Sequence, residues 1–458
     1  MTERIVRSPW DGREAGHVAV PSAAVVETAV AKAAKIFGET RALPTFRRAA
    51  ILRAVADAIL GKRETLARTI ALEAGKPLKA ARVEVDRAAG TFSAAAAAVE
   101  TASSTHFPLD MNPSSPGKWG ILRRFPLGPV AAITPFNFPL NLTAHKVAPA
   151  IGVGAPVVQK PASQTPLSAF ALREIVVSAG WPEEGYAVLP VSGAAGETLV
   201  TDPRLPVVSF TGSAAVGWRL REIAPRKRVG LELGGNAGLI VHEDADLADA
   251  AQRAASGGFV YAGQSCISVQ RILVHRPVYG AFLELLLAAT AKTKSGDPLD
   301  ESVDVGPMIS EADAVRAETW VKEAVAGGAE LLAGGKRSGA LLSPTVLART
   351  LPSMKVECEE VFAPVVTLTP YDTFGEALAR VNDSRYGLQA GVFTRDLGRI
   401  EQAFETLEVG GIIVNDAPTW RADRMPYGGV KDSGVGREGP LFAMEEYTEP
   451  RLLVLRAP

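Results

Sequence analysis

The chain has 458 residues, 47 % of them hydrophobic and 22 % charged, and 49 Lys+Arg against 50 Asp+Glu leave a formal charge of -1. That length exceeds one ordinary core and predicts two domains. The charge balance offers no basic surface for nucleic acid or for an anionic membrane.

The N-terminal MTERIVRSPWDGREAG lacks the apolar core of a signal peptide, and no apolar run reaches membrane-spanning length, so a cytoplasmic protein is expected. From Pro21 to about Ala102, apolar residues recur every three or four positions, as in FRRAAILRAVADAILGKRETLARTIALEAGK, which predicts several long helices. Beyond Gly128 short β-rich runs alternate with helical ones, from GPVAAITP and LTAHKVAPAIG through PVVQKP, PVVSFT and AAVGWRLREIA to VGLELGG. A second alternating set runs from DLADAAQRAASGGFVYAG and SVQRILVH to GIIVNDAP. Such alternation predicts parallel sheets covered by helices on both faces, in two doubly wound α/β units that meet near LELGGN. KWGILRRFPLG and EYTEPRLLVLRAP fit neither unit and read as extended β arms, whose exposed apolar residues suit an oligomer contact. Sulfur chemistry is confined to Cys266 and Cys358, which form no CxxC pair, and the five histidines are scattered. Neither a disulfide framework nor a metal site is expected.

In doubly wound sheets ligands bind beyond the carboxyl ends of the strands. Asn137 follows one such run in TPFNFP, Lys160 follows the next in QKPAS, Gly212 and Ser213 open a helix in TGSAAVG, and Glu232 closes a run in LELGG. Each alone has an ordinary explanation: a conformational turn, a solvated lysine, a salt-bridged carboxylate. Together they offer an amide, a cation, an anion-binding turn and a carboxylate. Cys266, in YAGQSCISVQR, lies on a turn rather than in an apolar stripe, where backbone dipoles are expected to favour a thiolate. Cys358 stands among Glu357, Glu359 and Glu360 and reads as a bystander.

TPFNFPLN, VVQKPASQTPLS, SFTGSAAVG, LELGGN, GQSC, EEVFAP and MPYGGVKDSGVGREG, in this order, closely resemble the NAD(P)-dependent aldehyde dehydrogenase superfamily. The resemblance implies two doubly wound α/β domains plus a small β oligomerisation arm. Residues 1–105 and 128–233 then form the cofactor domain, 234–427 the catalytic domain, 428–444 a return to the cofactor domain, and 106–127 and 445–458 the arms of a homodimer or homotetramer. It makes Cys266 the nucleophile, Asn137 with the Cys266 N–H the oxyanion hole, and Glu232 the base for hydrolytic water, with activation of the thiol as a second role open to it. The cofactor falls to Lys160 and Ser163, to Gly212 and Ser213, to Glu360 and Phe362, and to Thr134, Pro135 and Phe136. A thiohemiacetal would lose hydride to the nicotinamide, and the resulting thioester would be hydrolysed to the acid.

Two positions depart from the common family pattern. Ala363 stands where glycine is usual before Pro364, and Ser163 stands where many NAD-preferring members carry glutamate, which leans the expectation towards NADP over NAD. For the aldehyde, the candidate pocket comprises Phe138, His145, Ser265, Ile267, Trp420, Arg421, Arg424 and Tyr427, with His145 placed eight residues after Asn137 on one helix. Two arginines and a histidine near a pocket mouth suit a short polar or anionic aldehyde, such as lactaldehyde, glycolaldehyde, a triose phosphate or a semialdehyde. Rival readings are an acylating enzyme that passes the thioester to coenzyme A, a non-catalytic binding protein on the same fold, and a cofactor-free cysteine hydrolase. Retention of Glu232, Cys266 and Asn137 together argues against the first two, and the phosphate turn against the third.

Overall fold

A computed structural model describes residues 2–456. After an antiparallel hairpin, Thr2–Arg7 with Glu14–Val20, the expected helical region resolves into Ala23–Thr40, Thr45–Gly61, Arg63–Ala74 and Leu78–Thr101. The second half of the last helix is rich in alanine, and its Ala95, Ala96 and Ala98 are buried. Small side chains let the Thr45–Gly61 helix pack closely, and its Leu52, Val55 and Ile59 are fully buried, each worth about 1.5 to 3 kcal/mol.

The first large sheet has six strands in the order Gly434–Val435, Arg228–Glu232, Val207–Thr211, Val130–Ile133, Val157–Lys160, Tyr186–Val188. All neighbours are parallel except the edge pair Gly434–Val435 with Arg228–Glu232. The chain starts in the middle at Val130–Ile133, runs outward to Tyr186–Val188, then returns to the other side with Val207–Thr211. The strand order therefore reverses between Val130–Ile133 and Val207–Thr211, and the turns carrying Asn137 and Gly212 flank that crevice.

The second sheet has seven strands, in the order Glu330–Ala333, Thr345–Ala348, Val365–Tyr371, Val269–His275, Ala237–Val241, Gln389–Phe393, Gly411–Val414. Only the outermost pair, Glu330–Ala333 with Thr345–Ala348, is antiparallel. Gly234 and Gly235 lie between the last parallel strand of the first sheet and Ala237–Val241 of the second.

Lys118–Pro126 and Thr448–Arg456 pair antiparallel along their whole length, with Thr105–Pro108 on the far side of Lys118–Pro126. The expected C-terminal arm begins slightly later than its sequence suggests, because the helix Pro440–Glu446 continues to its edge. Leu452, Leu453, Val454 and Leu455 are 46 %, 53 %, 49 % and 37 % exposed, a continuous apolar strip.

Candidate active site

The turn Thr134–Leu140 is bracketed by Pro135 and Pro139. Proline has no N–H and drives the residue before it out of helical geometry, so the helix starts only at Asn141. This corrects the expectation that Asn137 and His145 share one helix: Asn137 is in the turn, and His145 is buried on Asn141–Val153. The Asn137 side-chain nitrogen donates to the Gln264 carbonyl at 3.0 Å, two residues before Cys266. That is one hydrogen bond from an amide with two N–H groups, and the second has no partner among the described residues. The backbone N–H of Cys266 is likewise unengaged among the described residues. Asn137 is thereby tied to the turn that carries Cys266, with amide donors available on both.

Glycine pairs bring the other groups in. A Cβ on Gly235 would stand 2.1 Å from the Cys266 carbonyl oxygen, and one on Gly234 would stand 2.4 Å from a Glu360 carboxylate oxygen. The two glycines allow this approach, which draws the end of the Glu232 strand against both the Cys266 turn and Glu360. Glu360 accepts from the Gly235 N–H at 3.0 Å, and burial pushes its carboxyl up to about 7. Glu232 is buried, and one of its carboxylate oxygens has no hydrogen-bond partner among the described residues. Burial and the neighbouring charge of Glu438 hold Glu232 well above the usual carboxylate range, against the pull of Arg421, Lys146 and Arg437. A carboxyl so placed holds a proton more tightly than an exposed one, which makes its ionised form a stronger base.

Cys266 does occupy a turn, but its surroundings there oppose a thiolate. It packs with Met425 against Ile267, Leu388 and Tyr427, and burial pushes the thiol up to about 12, with Glu360 and Glu232 adding to the rise. The Tyr427 hydroxyl, 3.0 Å from Sγ, and the charge of Arg421 oppose it. Cys358 is exposed and has no part in this cluster.

The proposed pocket residues separate. Arg421 is not at a pocket mouth: its side chain is 5 % exposed, pairs with Glu438 at 3.2 Å and stacks on the Tyr427 ring at 3.7 Å from the centroid. His145 is buried beside it, bonded to Asp423 at 3.0 Å, and burial lowers its pKa, so it is no surface cation. Arg424 is exposed and makes no ion pair among the described residues, and Trp420 is 50 % exposed. Phe138 and Ser265 do line a cavity of about 330 Å³, together with Lys76, Glu84, Arg87, Ser256, Tyr261 and Thr419. Arg87 is the cation that sequence reasoning missed. Two of its nitrogens bond Asp423, at 3.1 and 2.8 Å, and the third makes no hydrogen bond among the described residues. Its partner is 336 residues away, which no local pattern reveals.

On the cofactor side, Phe136 and Phe362 meet edge to face at 5.9 Å, and Phe362 holds a φ of 50°, rare for a bulky residue. Ala363 has no such φ and is buried in the second core, so replacing the usual glycine there strains nothing. Gly212 also has an ordinary φ. It must be glycine because a Cβ would meet the Phe210 ring at 2.6 Å. Ser213 precedes the helix Ala214–Ile223 without using its side chain as a cap, leaving the first N–H groups of that helix open.

Fold and comparison with known proteins together define an aldehyde oxidoreductase. The aldehyde dehydrogenase family profile matches residues 2–453, and the chain belongs to that family. A 3-sulfolactaldehyde dehydrogenase from Priestia aryabhattai is 44 % identical over 98 % of this chain and 94 % of its own length. The crystal structure of aldehyde dehydrogenase 21 from Physcomitrella patens, in complex with the reaction product succinate, superposes with a TM-score of 0.97 at 43 % identity, covering 99 % of this chain and 95 % of that one. A glyceraldehyde-3-phosphate dehydrogenase from Methanocaldococcus jannaschii complexed with NADP gives 0.95 at 38 % identity, covering 99 % of each chain. The chain is therefore an NAD(P)-dependent oxidoreductase acting on an aldehyde, and no described helix is long and apolar enough to cross a membrane.

The residues present fit the dinucleotide: an open helix N-terminus beyond Gly212, the Gly234–Gly235 cradle beside Glu360, and Lys160, which makes no ion pair among the described residues. When bound, the nicotinamide supplies the acceptor for the hydride.

Proposed function

We propose that this enzyme oxidises a short aldehyde bearing an anionic group to the free acid, by hydrolysis of a Cys266 thioester, with NADP preferred over NAD. The observation that carries the substrate class is the cavity next to the Cys266 turn, which Ser265 lines together with Arg87, Ser256 and Thr419, and in which one Arg87 guanidinium nitrogen makes no hydrogen bond among the described residues. An arginine edge with hydroxyl donors recognises a sulfonate, carboxylate or phosphate. The relatives point the same way, since sulfolactaldehyde, succinate and glyceraldehyde 3-phosphate each carry such a group. Asn137 and the Cys266 N–H hold the oxyanion, and Glu232 activates water, which favours hydrolysis over transfer to coenzyme A.

Initial rates for neutral, hydroxylated, carboxylated, sulfonated and phosphorylated short aldehydes test the substrate class. The anionic members are expected to exceed neutral ones of equal length by about 10-fold or more in kcat/KM, the worth of one charge-assisted contact. Arg87→Ala should remove that advantage and spare the neutral aldehydes. Equal rates across the panel would reject the proposal.

The cofactor preference rests on charge. Burial and the neighbouring Arg4 both lower the pKa of Lys160, and neither cation has an acidic partner among the described residues. Arg4 bonds the Pro190 carbonyl at 3.2 Å, beyond the strand paired with Val157–Lys160. Two adjacent cations without a counter-ion, and Ser163 in place of a carboxylate, suit a 2′-phosphate. Ser163→Glu places a like charge near that phosphate, costing about 1 to 4 kcal/mol, so the NADP to NAD ratio of kcat/KM should fall by about tenfold or more. An unchanged ratio would show that Ser163 is incidental.

The exposed strip Leu452–Leu455 supports assembly as a homodimer or homotetramer through the three-stranded sheet, with residues 106–127 and 445–458 as the arms, 1–105, 128–233 and 428–444 as the cofactor domain and 234–427 as the catalytic domain. A reducing cytoplasm, which keeps Cys266 a free thiol, is the compartment this chemistry needs.

A further inference from the structure

The position of Cys266 poses a problem for its own chemistry. Its neighbours Ile267, Leu388 and Met425 are apolar, and the two carboxyl groups that face it, Glu232 and Glu360, oppose a thiolate. Among the described residues one protein group hydrogen-bonds the sulfur, the hydroxyl of Tyr427 at 3.0 Å. The tyrosine is fixed from two sides. Its backbone exchanges both hydrogen bonds with Glu438, at 3.0 and 2.6 Å, and its ring face carries the guanidinium of Arg421, 3.7 Å from the centroid. Arg421 is in turn held by Glu438 at 3.2 Å and lies against His145 at 3.1 Å.

We propose that Tyr427 is a catalytic residue, whose hydroxyl donates to the Cys266 thiolate and sets the fraction of nucleophile available at neutral pH, with Arg421 fixing and polarising its ring from behind. The direction of the bond follows from the surroundings. Burial and the adjacent Cys266 and Glu232 hold the phenol well above its ordinary range, outweighing Arg421, so the tyrosine keeps its proton and donates it as a hydrogen bond. The thiol proton leaves for solvent or for Glu232, and nothing is transferred to or from Tyr427. Once the sulfur attacks carbon its charge passes to the carbonyl oxygen, and the stabilising role passes with it to Asn137 and the Cys266 N–H. Tyr427 thus serves the step before attack and those two donors serve the step after.

This division has a kinetic signature that packing alone does not produce. Lowering a thiol pKa raises the thiolate fraction in full, but reduces the reactivity of each thiolate with a Brønsted slope of about 0.4 to 0.5. Removing a donor that lowers the pKa by about one unit therefore costs roughly threefold in rate at pH 7 to 8, and gains roughly threefold on the alkaline plateau.

The test is the pH dependence of iodoacetamide alkylation in a Cys358→Ala background, so that only Cys266 reports. The assay needs no aldehyde and is independent of the substrate proposed above. Tyr427→Phe keeps the ring and its stack on Arg421, and a cofactor affinity within about twofold of the parent will show that the site is intact. The expected result is an alkylation profile moved up by about one pH unit, crossing the parent profile at high pH, with a parallel fall in kcat/KM for aldehyde at pH 7. Superimposable profiles, or one moved downward, would overturn the proposal, as would a rate reduced equally at every pH.

Discussion

Cys266→Ala will abolish aldehyde oxidation, by at least about 10⁴-fold, while cofactor binding stays within about twofold. The size of the effect follows from the site having no substitute. Cys358 is exposed outside the cluster, and Ser265, the adjacent hydroxyl, has no base bonded to it among the described residues. The free Cys266 N–H and the second Asn137 N–H remain in the variant, because both belong to backbone and turn rather than to the sulfur. A carbonyl can still be polarised there, but nothing attacks it. Stability should fall by about 1 kcal/mol or less, since one sulfur is lost from a half-buried cluster that can relax around Tyr427 and Leu388. Fluorescence titration with NADP, alongside turnover at saturating aldehyde, checks both halves. Residual turnover above about one part in a thousand would place the nucleophile elsewhere.

What could be read in the sequence was whatever depends on neighbours in the chain. The alternation of β-rich and helical runs predicts both parallel sheets, and the strand-end positions of Asn137, Lys160, Gly212 and Glu232 follow from it, because in this architecture the ends of strands face the crevice. The two glycines after Glu232 also carry information, and the structure gives their reason: each occupies a place where a Cβ would meet Glu360 or the Cys266 carbonyl. What escaped was set by distant contacts. Arg87 reaches Asp423 across 336 residues, and Lys146 reaches Glu438 across 292. The same applies to Arg421, whose place beneath Tyr427 is fixed by Glu438 and His145. A sequence presents it as one more arginine near a pocket, whereas burial and its partners make it a support for the tyrosine. The thiol of Cys266 differs from its sequence expectation for a related reason. A turn position suggests exposed backbone dipoles, but Leu388, Met425 and Tyr427, all more than 100 residues away, pack with Ile267 around the cysteine.

Glu232→Gln will separate the two halves of the reaction. Glutamine keeps the size and one hydrogen-bonding oxygen of the side chain but cannot take a proton. If Glu232 serves the hydrolytic water, thiol attack and reduction of the cofactor proceed once, and the thioester then accumulates. Rapid mixing should show a burst of NADPH close to one equivalent per site, followed by a steady rate reduced by about 10² to 10⁴-fold, the usual worth of a general base. The wild type adds a second signature through pH. Burial and Glu438 raise the Glu232 pKa, so at low pH the group is neutral and inactive as a base, and its competent form grows as pH rises through that raised value. Steady-state turnover of the wild type should therefore climb from acid to alkaline pH, and the Gln variant should lose that climb while its burst keeps the pH dependence of the thiol. A variant that loses the burst together with turnover would assign Glu232 to deprotonation of Cys266 instead. Restoration of the steady rate by coenzyme A would mean that water is not the natural acceptor of the acyl group.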